Sequence, residues 1–337
     1  MSAPTPTPLV SVFIRVRDES AALDAALRRL GEQVLDAPVE LIVLDNDSAD
    51  DSAWVARSHG ARVFTLPRAL FGYGRALNIG AELAAGEIVI FLSAHSIPQS
   101  RNWIARLIRP LRDDPSVGAA FCRQVPARPL SRAELHRFAC FPSKDVLLDR
   151  DTFVNLCRSG GDPYAAALFS SSACAVRRSV ALRHRFRDLL YAEDRAFVVD
   201  YVIAGGAVAY VHAPAVAYER RMTWKSAYAA GRRAQVSKRL IRELAGGYAG
   251  WRFDSRRDTA GRIARALLIL PATLVRLGLA LREPRELRRR AAMHALVSTG
   301  TTLGMTVGAL RWRRHIDTLS CDPVLLREAR RQTRPLE

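Results

Sequence analysis

The chain has 337 residues, 49% of them apolar and 25% charged, with a net charge of +18 at pH 7. That length buries a full core, and that composition excludes wholesale disorder. Five cysteines (Cys122, Cys140, Cys157, Cys174, Cys321) are odd in number and lack CxxC spacing, which argues against a disulfide framework or a zinc site and fits a reducing cytoplasm. The first residues carry no basic segment ahead of a long apolar run, so no signal peptide is expected.

Residues 1–8 alternate with proline and read as a loose tail. Leu9 to Val16 is a buried strand rich in β-branched residues, and Arg17-Asp18-Glu19-Ser20 leads into an amphipathic helix from Ala21 to Leu30. A second strand, Val39 to Leu44, ends in the polar run Asp45 to Ser52, and a helix follows over Ala53 to Ser58. Further strands are predicted at Ala61 to Leu66, Glu87 to Leu92 and Val117 to Cys122. The helices Ala76 to Ala84 and Asn102 to Leu111 lie between them. Pro126 to Arg150 reads as loop with short helical pieces, Arg187 to Ala204 as helix, Ala207 to His212 as strand, and the chain from Trp224 onward as almost all helix.

Strands alternating with short helices mean βαβ crossovers and a mostly parallel sheet. Three strands end in polar turns, at Asp18-Glu19, Asp45-Asn46-Asp47 and Ser93 to Ser96. In open α/β sheets ligands bind at the carboxyl ends of strands, so convergence of these turns makes one site. A carboxylate such as Asp45 accepts the N–H of a pyrimidine base. The competing reading is a turn-and-cap cluster, which suits Asp50 and Asp51. Gly72, Gly74 and Gly80 allow close backbone approach to phosphate at a helix start, or equally a tight turn and close helix–sheet packing. Their spacing is not the dinucleotide fingerprint.

In order and spacing, LVSVFIRVRDES, VELIVLDNDSADDS, FGYGRALNIGAELAAGEIVIFLSAHSIP and YAEDRAFVVDYVIAGGAVAYVHAPAVAYE resemble the family-2 inverting glycosyltransferases of the GT-A fold over roughly residues 9–220. The resemblance implies an α/β, Rossmann-like, mostly parallel sheet flanked by helices, and a nucleotide-sugar donor. Asp45 and Asn46 match the pair that holds the base, and Asp18 a position near the base or ribose. Gly74, Arg75 and Asn78 match the segment along the sugar-diphosphate. Asp194 matches the general base, with Glu193 supporting it. Phe169 to Cys174 matches a stretch on the acceptor side, without its usual Asn.

The family places a DxD on a divalent metal at the fourth strand end, where this chain has Ser93-Ala94-His95. Hard oxygen ligands suit Mg²⁺ or Mn²⁺. His95 either joins such a metal, with Glu219 supplying a missing carboxylate, or hydrogen-bonds the phosphates directly. A purely structural histidine in that loop is the third reading.

Residues 219–337 carry 26 Lys and Arg against 10 Asp and Glu, so nearly all the net charge lies there. Two apolar stretches, Ile263 to Leu281 and Ala291 to Leu310, read as interfacial helices that dock a basic surface onto anionic lipid, or as a helical hairpin packed on the domain. No recognition motif for nucleic acid accompanies the charge.

These readings divide the chain into the tail 1–8, a GT-A domain 9–222 and a basic helical region 223–337. They describe a cytoplasmic enzyme, peripheral on the inner face of the cell membrane, acting on a lipid-linked or cell-envelope glycan. The alternatives are a nucleotidyltransferase or a non-catalytic basic scaffold on a degenerate GT-A fold.

Overall fold

The computed structural model describes residues 9–129, 138–189, 191–218, 224–249 and 269–282, with scattered positions from 288 to 335. The central strands are apolar on both faces because both are covered. In β1 (Val10–Val16), alternate residues Val10, Val12, Ile14 and Val16 enter one core, and Phe13 enters the other. Helix α1 (Ser20–Gly31) contributes Leu23, Leu27 and Leu30 to the first core. Helix α4 (Trp103–Asp113) adds Trp103, Ile104, Leu107, Ile108 and Leu111, all fully buried. Spacing of three and four residues puts that set on one face, and each side chain contributes about 1.5–3 kcal/mol. On the opposite face lie α3 (Tyr73–Leu83) and α8 (Glu193–Ile203).

Strands β2 (Val39–Asp45), β3 (Arg62–Thr65) and β4 (Ile88–Ser93) join β1 in a parallel core of order β3-β2-β1-β4. The short helix α2 (Ser52–Ser58) connects β2 to β3. Gly80 in α3 is required by packing, since a Cβ there would lie 2.6 Å from the Phe13 ring.

Beyond β4 the expectation of a mostly parallel sheet needs correction. Strand β8 (Ala173–Arg177) is antiparallel both to β4 and to β6 (Val117–Pro126). Strand β9 (Ala207–Tyr218) runs parallel to β6, while β5 (Ser96–Pro98) and β7 (Val146–Leu148) are antiparallel to β9. Strand β10 (Arg334–Pro335) closes the other edge, antiparallel to β3. The strand–helix alternation that forces parallel crossovers stops at β6. The chain then returns through loops and the short helices α5 (Arg150–Arg158), α6 (Pro163–Ala166) and α7 (Arg178–Arg183).

The helix expected over Arg187 to Ala204 begins only at Glu193. Residues 187–189 are instead irregular and held by side chains, with Arg187 on Asp200 at 2.7 and 3.0 Å. Strand β9 continues past His212 to Tyr218, with a register shift opposite Cys122 and Arg123.

The basic region is joined to the rest of the fold at its start. Helix α9 (Trp224–Ala249) packs on α5, α6 and α8, and its Val236, Ile241 and Ala245 belong to the same core as Phe13. Arg242 pairs with Asp162 at 2.8 and 2.6 Å. Helix α10 (Ile269–Ala280) covers part of the first apolar stretch. The tail 1–8, Glu219, Cys321 and half of Ala291 to Leu310 lie outside the described residues. Among the described residues no helix is long and apolar enough to cross a membrane.

Candidate active site

Parallel pairing sets Arg15 of β1 beside Ser93 of β4 and Leu44 of β2, so the carboxyl ends of these strands open on one edge. A cavity of about 580 Å³ lies there, and its wall includes Arg15, Asn46, Ser93, His95, Glu193 and Asp194. Four of the predicted site positions that the cavity gathers come from the end of β4 and the turn after it (Ser93, His95) and from the start of α8 (Glu193, Asp194), far apart in sequence. A fifth, Asn46, follows β2 directly.

The loop after β2 is tied down by its own carboxylates. Asp45 is 4% exposed and accepts from the Ser48 hydroxyl and, at 3.3 Å, from the Ser48 N–H. Burial raises its carboxyl above the ordinary aspartate range, with the Ser48 bonds opposing. Asp18, at φ +51°, accepts from Ala49 N–H at 2.7 Å and so clamps the first loop to the second. Asp50 caps two helices, accepting from Ser20 N–H at 2.8 Å and Ser52 N–H at 3.0 Å. Neither Asp18 nor Asp45 borders the cavity, whereas Asn46 does. The buried Asn46 Oδ1 has no hydrogen-bond partner among the described residues.

Arg75 and Asn78, expected to face a sugar-diphosphate, are turned into the fold instead. Asn78 is fully buried, donating to the Phe186 carbonyl at 2.8 Å and accepting from the Phe186 N–H at 2.9 Å. Arg75 is 7% exposed, paired with Asp188 and donating to the Leu70 carbonyl at 2.5 Å. Gly74 lacks a Cβ because the Arg187 carbonyl occupies that space. All three secure the irregular segment before α8, and none borders the cavity. What reaches the cavity from the chain around Gly74 is Phe71 and, at the start of α3, Tyr73.

His95 lies in the two-residue turn between β4 and β5. Its Nδ1 is 3.0 Å from Glu19 Oε2, and its ring meets the Tyr218 ring edge-on at 4.9 Å. An ionised carboxylate only accepts, so the Nδ1 proton points at Glu19. Ser93 is 8% exposed and donates its N–H to the Ser172 carbonyl at 3.1 Å. A hard divalent cation takes several carboxylate oxygens. Among the described residues no three His, Cys, Asp or Glu side chains converge to hold one. The strand end supplies a hydroxyl and an imidazole already bonded to Glu19. This donor set does not fit Mg²⁺ or Mn²⁺.

The acid pair opens α8. Ala192 precedes it at φ +60°, a left-handed conformation that costs a non-glycine residue about 1 kcal/mol or more. Glu193 is 5% exposed and accepts from the Ser171 hydroxyl at 3.0 Å. Asp194 accepts from the Ser171 N–H at 3.1 Å and from the Arg195 N–H at 2.8 Å. Burial pushes both carboxyls up. For Glu193 the neighbouring Asp194 charge adds to the rise, and for Asp194 the Arg195 charge opposes it. Two adjacent carboxyls withdrawn from water favour sharing one proton, which leaves one carboxylate able to accept another.

Two further residues matter, Ser171 from the stretch matched to the acceptor side and Arg15, which the sequence did not single out. Ser171 holds both acids, and Arg15 donates to the Ser171 carbonyl at 3.3 Å and approaches its hydroxyl at 3.4 Å. The one signal for Arg15 was that it carries the single charge in β1. Cys122, Cys157 and Cys174 are buried, and burial pushes the Cys122 thiol up to about 12, whereas Cys140 is exposed and borders the cavity.

With this geometry in place, comparison with known proteins gives a consistent result. The family described as Glycosyl transferase family 2 matches residues 11–180. An O-antigen chain rhamnosyltransferase of Salmonella anatum, WbaN, is 24% identical over 190 residues, which is 55% of this chain and 58% of that protein. The chain therefore spans under two thirds of that relative's length. Glucosyl-3-phosphoglycerate synthase of Mycobacterium tuberculosis, solved with Mn²⁺, UDP and glucosyl-3-phosphoglycerate, superposes with a TM-score of 0.51 at 20% identity, covering 74% of this chain and 82% of that one. A mannosyltransferase of Pyrobaculum calidifontis, solved with GDP-Man and Mn²⁺, gives 0.54 at 18% identity, covering 90% and 88%. These likenesses show the GT-A fold.

Proposed function

The chain belongs to glycosyl transferase family 2, and from that premise we propose that it moves a sugar from a nucleotide-diphosphate-sugar to an acceptor hydroxyl with inversion. The observation that carries the reading is Asp194 at the start of α8, facing the same cavity as Asn46 at the strand ends. Asn46 Oδ1 offers an acceptor to a base N–H, and Asp45 stiffens the loop that presents it. Asp18 acts there by clamping the two loops.

Asp194 is the general base. It takes the proton of the acceptor hydroxyl as that oxygen attacks the anomeric carbon, opposite the departing nucleoside diphosphate. Ser171 fixes the carboxylate through a backbone N–H, which cannot swing away as a side chain can. Glu193, more deeply buried, holds the shared proton and keeps Asp194 aimed at the cavity. Mn²⁺ accompanies the nucleotides in the two superposed enzymes. The donor set of the described residues does not match such an ion, so no step is assigned to one.

The acceptor is a lipid-linked or cell-envelope glycan, and the basic C-terminal region rests on the cytoplasmic face of an anionic membrane. Similarity to an O-antigen chain rhamnosyltransferase supports the first. Leu274, Val275 and Leu279 of α10, each more than half exposed beside Arg276 and Arg282, support the second. Screening UDP-, dTDP- and GDP-sugars for sugar release and transfer tests the reading. One donor turned over by the wild type and not by Asp194→Asn is the expected result. No turnover of any donor, with no donor bound, overturns it.

A further inference from the structure

The cavity holds a charge arrangement that the acid pair does not explain. Arg15 ends β1 on the face it shares with Phe13, so its guanidinium enters the cavity beside Ser93 rather than reaching solvent. Its Nη2 is spent on Ser171, and its Cζ lies 5.8 Å from the centre of the Tyr73 ring. Its Nη1 is buried and, among the described residues, has no hydrogen-bond partner. A buried donor left unpaired costs about 1–3 kcal/mol, more when charged. Such a cost is recovered when an acceptor enters the cavity.

That acceptor is anionic. A guanidinium stays charged at any working pH, and its planar fork matches phosphate oxygens. The position also fits, because Arg15 pairs in register with Ser93 at the strand end where the fold would place donor phosphates. Arg17 and Arg233 also border the cavity, but neither pairs in register with Ser93 at the end of β4 as Arg15 does. Arg75 is held by Asp188 and Arg195 by the Tyr164 carbonyl. His95 lines the same cavity with its Nδ1 bonded to Glu19.

We infer that the donor diphosphate is held by the Arg15 guanidinium, flanked by His95, and that transfer in this chain proceeds without a divalent cation. The inference rests on the nucleotide-sugar reading above. In the step itself the acceptor oxygen forms its bond to the anomeric carbon as the bond to the diphosphate oxygen breaks. That oxygen keeps the electron pair and the acceptor proton goes to Asp194. The leaving nucleoside diphosphate therefore gains one negative charge, which Arg15 offsets in a water-poor site. Arg15 also faces Ser171 and the two acids, so it lowers the repulsion between the diphosphate and Asp194.

The test is calorimetric binding to the full chain of UDP, dTDP and GDP, and of uridine, thymidine and guanosine, each in EDTA and in Mn²⁺. One diphosphate should bind the wild type equally in both, and more tightly than its nucleoside. Arg15→Met should lower the affinity for that diphosphate about 10- to 100-fold and leave nucleoside affinity unchanged. Arg15→Lys, which keeps the charge and loses the fork, should fall between them and serves if the Met variant does not fold. Diphosphate binding that disappears in EDTA, or that survives Arg15→Met, overturns the inference. Nucleoside binding with no gain from the diphosphate overturns it while leaving base recognition intact. Absence of all binding by the wild type sinks the nucleotide-sugar reading, and the inference with it.

Discussion

The backbone N–H of Ser171 donates to Oδ2 of Asp194 at 3.1 Å, while the Ser171 hydroxyl donates to Glu193 at 3.0 Å. One residue from the loop before β8 thus fixes both carboxyls at the start of α8. The helix N-terminus favours negative charge there, and burial opposes it. Burial outweighs the helix terminus for both carboxyls, which stand above their ordinary ranges.

Asp194→Asn keeps the size of the side chain and removes the proposed base. Transfer should fall by about 10²- to 10⁴-fold, with donor affinity changed less than about twofold. Steady-state kinetics beside direct donor binding separates the two, and a parallel loss of both would assign Asp194 to binding.

Glu193 gives a pH-dependent stability whose sign is fixed. Burial holds its carboxyl above the usual range in the folded chain, with the Asp194 charge adding to the rise. The folded chain then keeps a proton that the unfolded chain gives up above a pKa of about 4.3. Stability is full below that value and is lost as pH rises through the raised folded value. Glu193→Gln removes the loss, so melting at pH 8 should rise, by about 1.4 kcal/mol for each unit of the shift. At pH 4 the difference should vanish. A melting gap that is constant with pH would contradict the assignment.

Asn78 is bonded in both directions to the Phe186 backbone, 108 residues away. Asn78→Ala leaves a buried N–H and a buried carbonyl without partners, which costs about 2–5 kcal/mol. Denaturant unfolding should record that loss. Nucleotide affinity of the remaining folded protein should stay within about twofold, because the side chain does not border the cavity. A large drop in affinity with unchanged stability would restore the donor-facing role that the resemblance implies.

Leu274, Val275 and Leu279 are 62%, 62% and 53% exposed on α10. Cosedimentation with anionic vesicles should exceed that with neutral ones and weaken as salt rises. Replacing all three by Glu should reduce vesicle binding at least about tenfold while nucleotide binding is unchanged. Equal sedimentation of wild type and variant would remove this surface from membrane binding.

Much of the fold was legible because its causes are local. The apolar run of β1, the amphipathic face of α4 and the cap supplied by Asp50 to α2 depend on neighbours a few residues apart, so spacing reveals them. The polar strand ends after β1, β2 and β4 were legible for the same reason, and so was the family. The antiparallel entry of β8 was not, since no helix or tight turn in the sequence dictates which strand it joins.

At the site, the sequence by itself determined which residue types stand at the strand ends and at the start of α8. Only the tertiary structure decided which of them face the cavity. Asn78 and Arg75 are spent on Phe186 and Asp188, partners more than 100 residues away that no local pattern announces. Arg15, a lone charge in an apolar strand, is turned inward by the same alternation that buries Phe13, and there it meets Ser171. Hydrogen-bond partners across the fold are chosen by topology, because a buried polar group must satisfy itself with whatever the packing brings near.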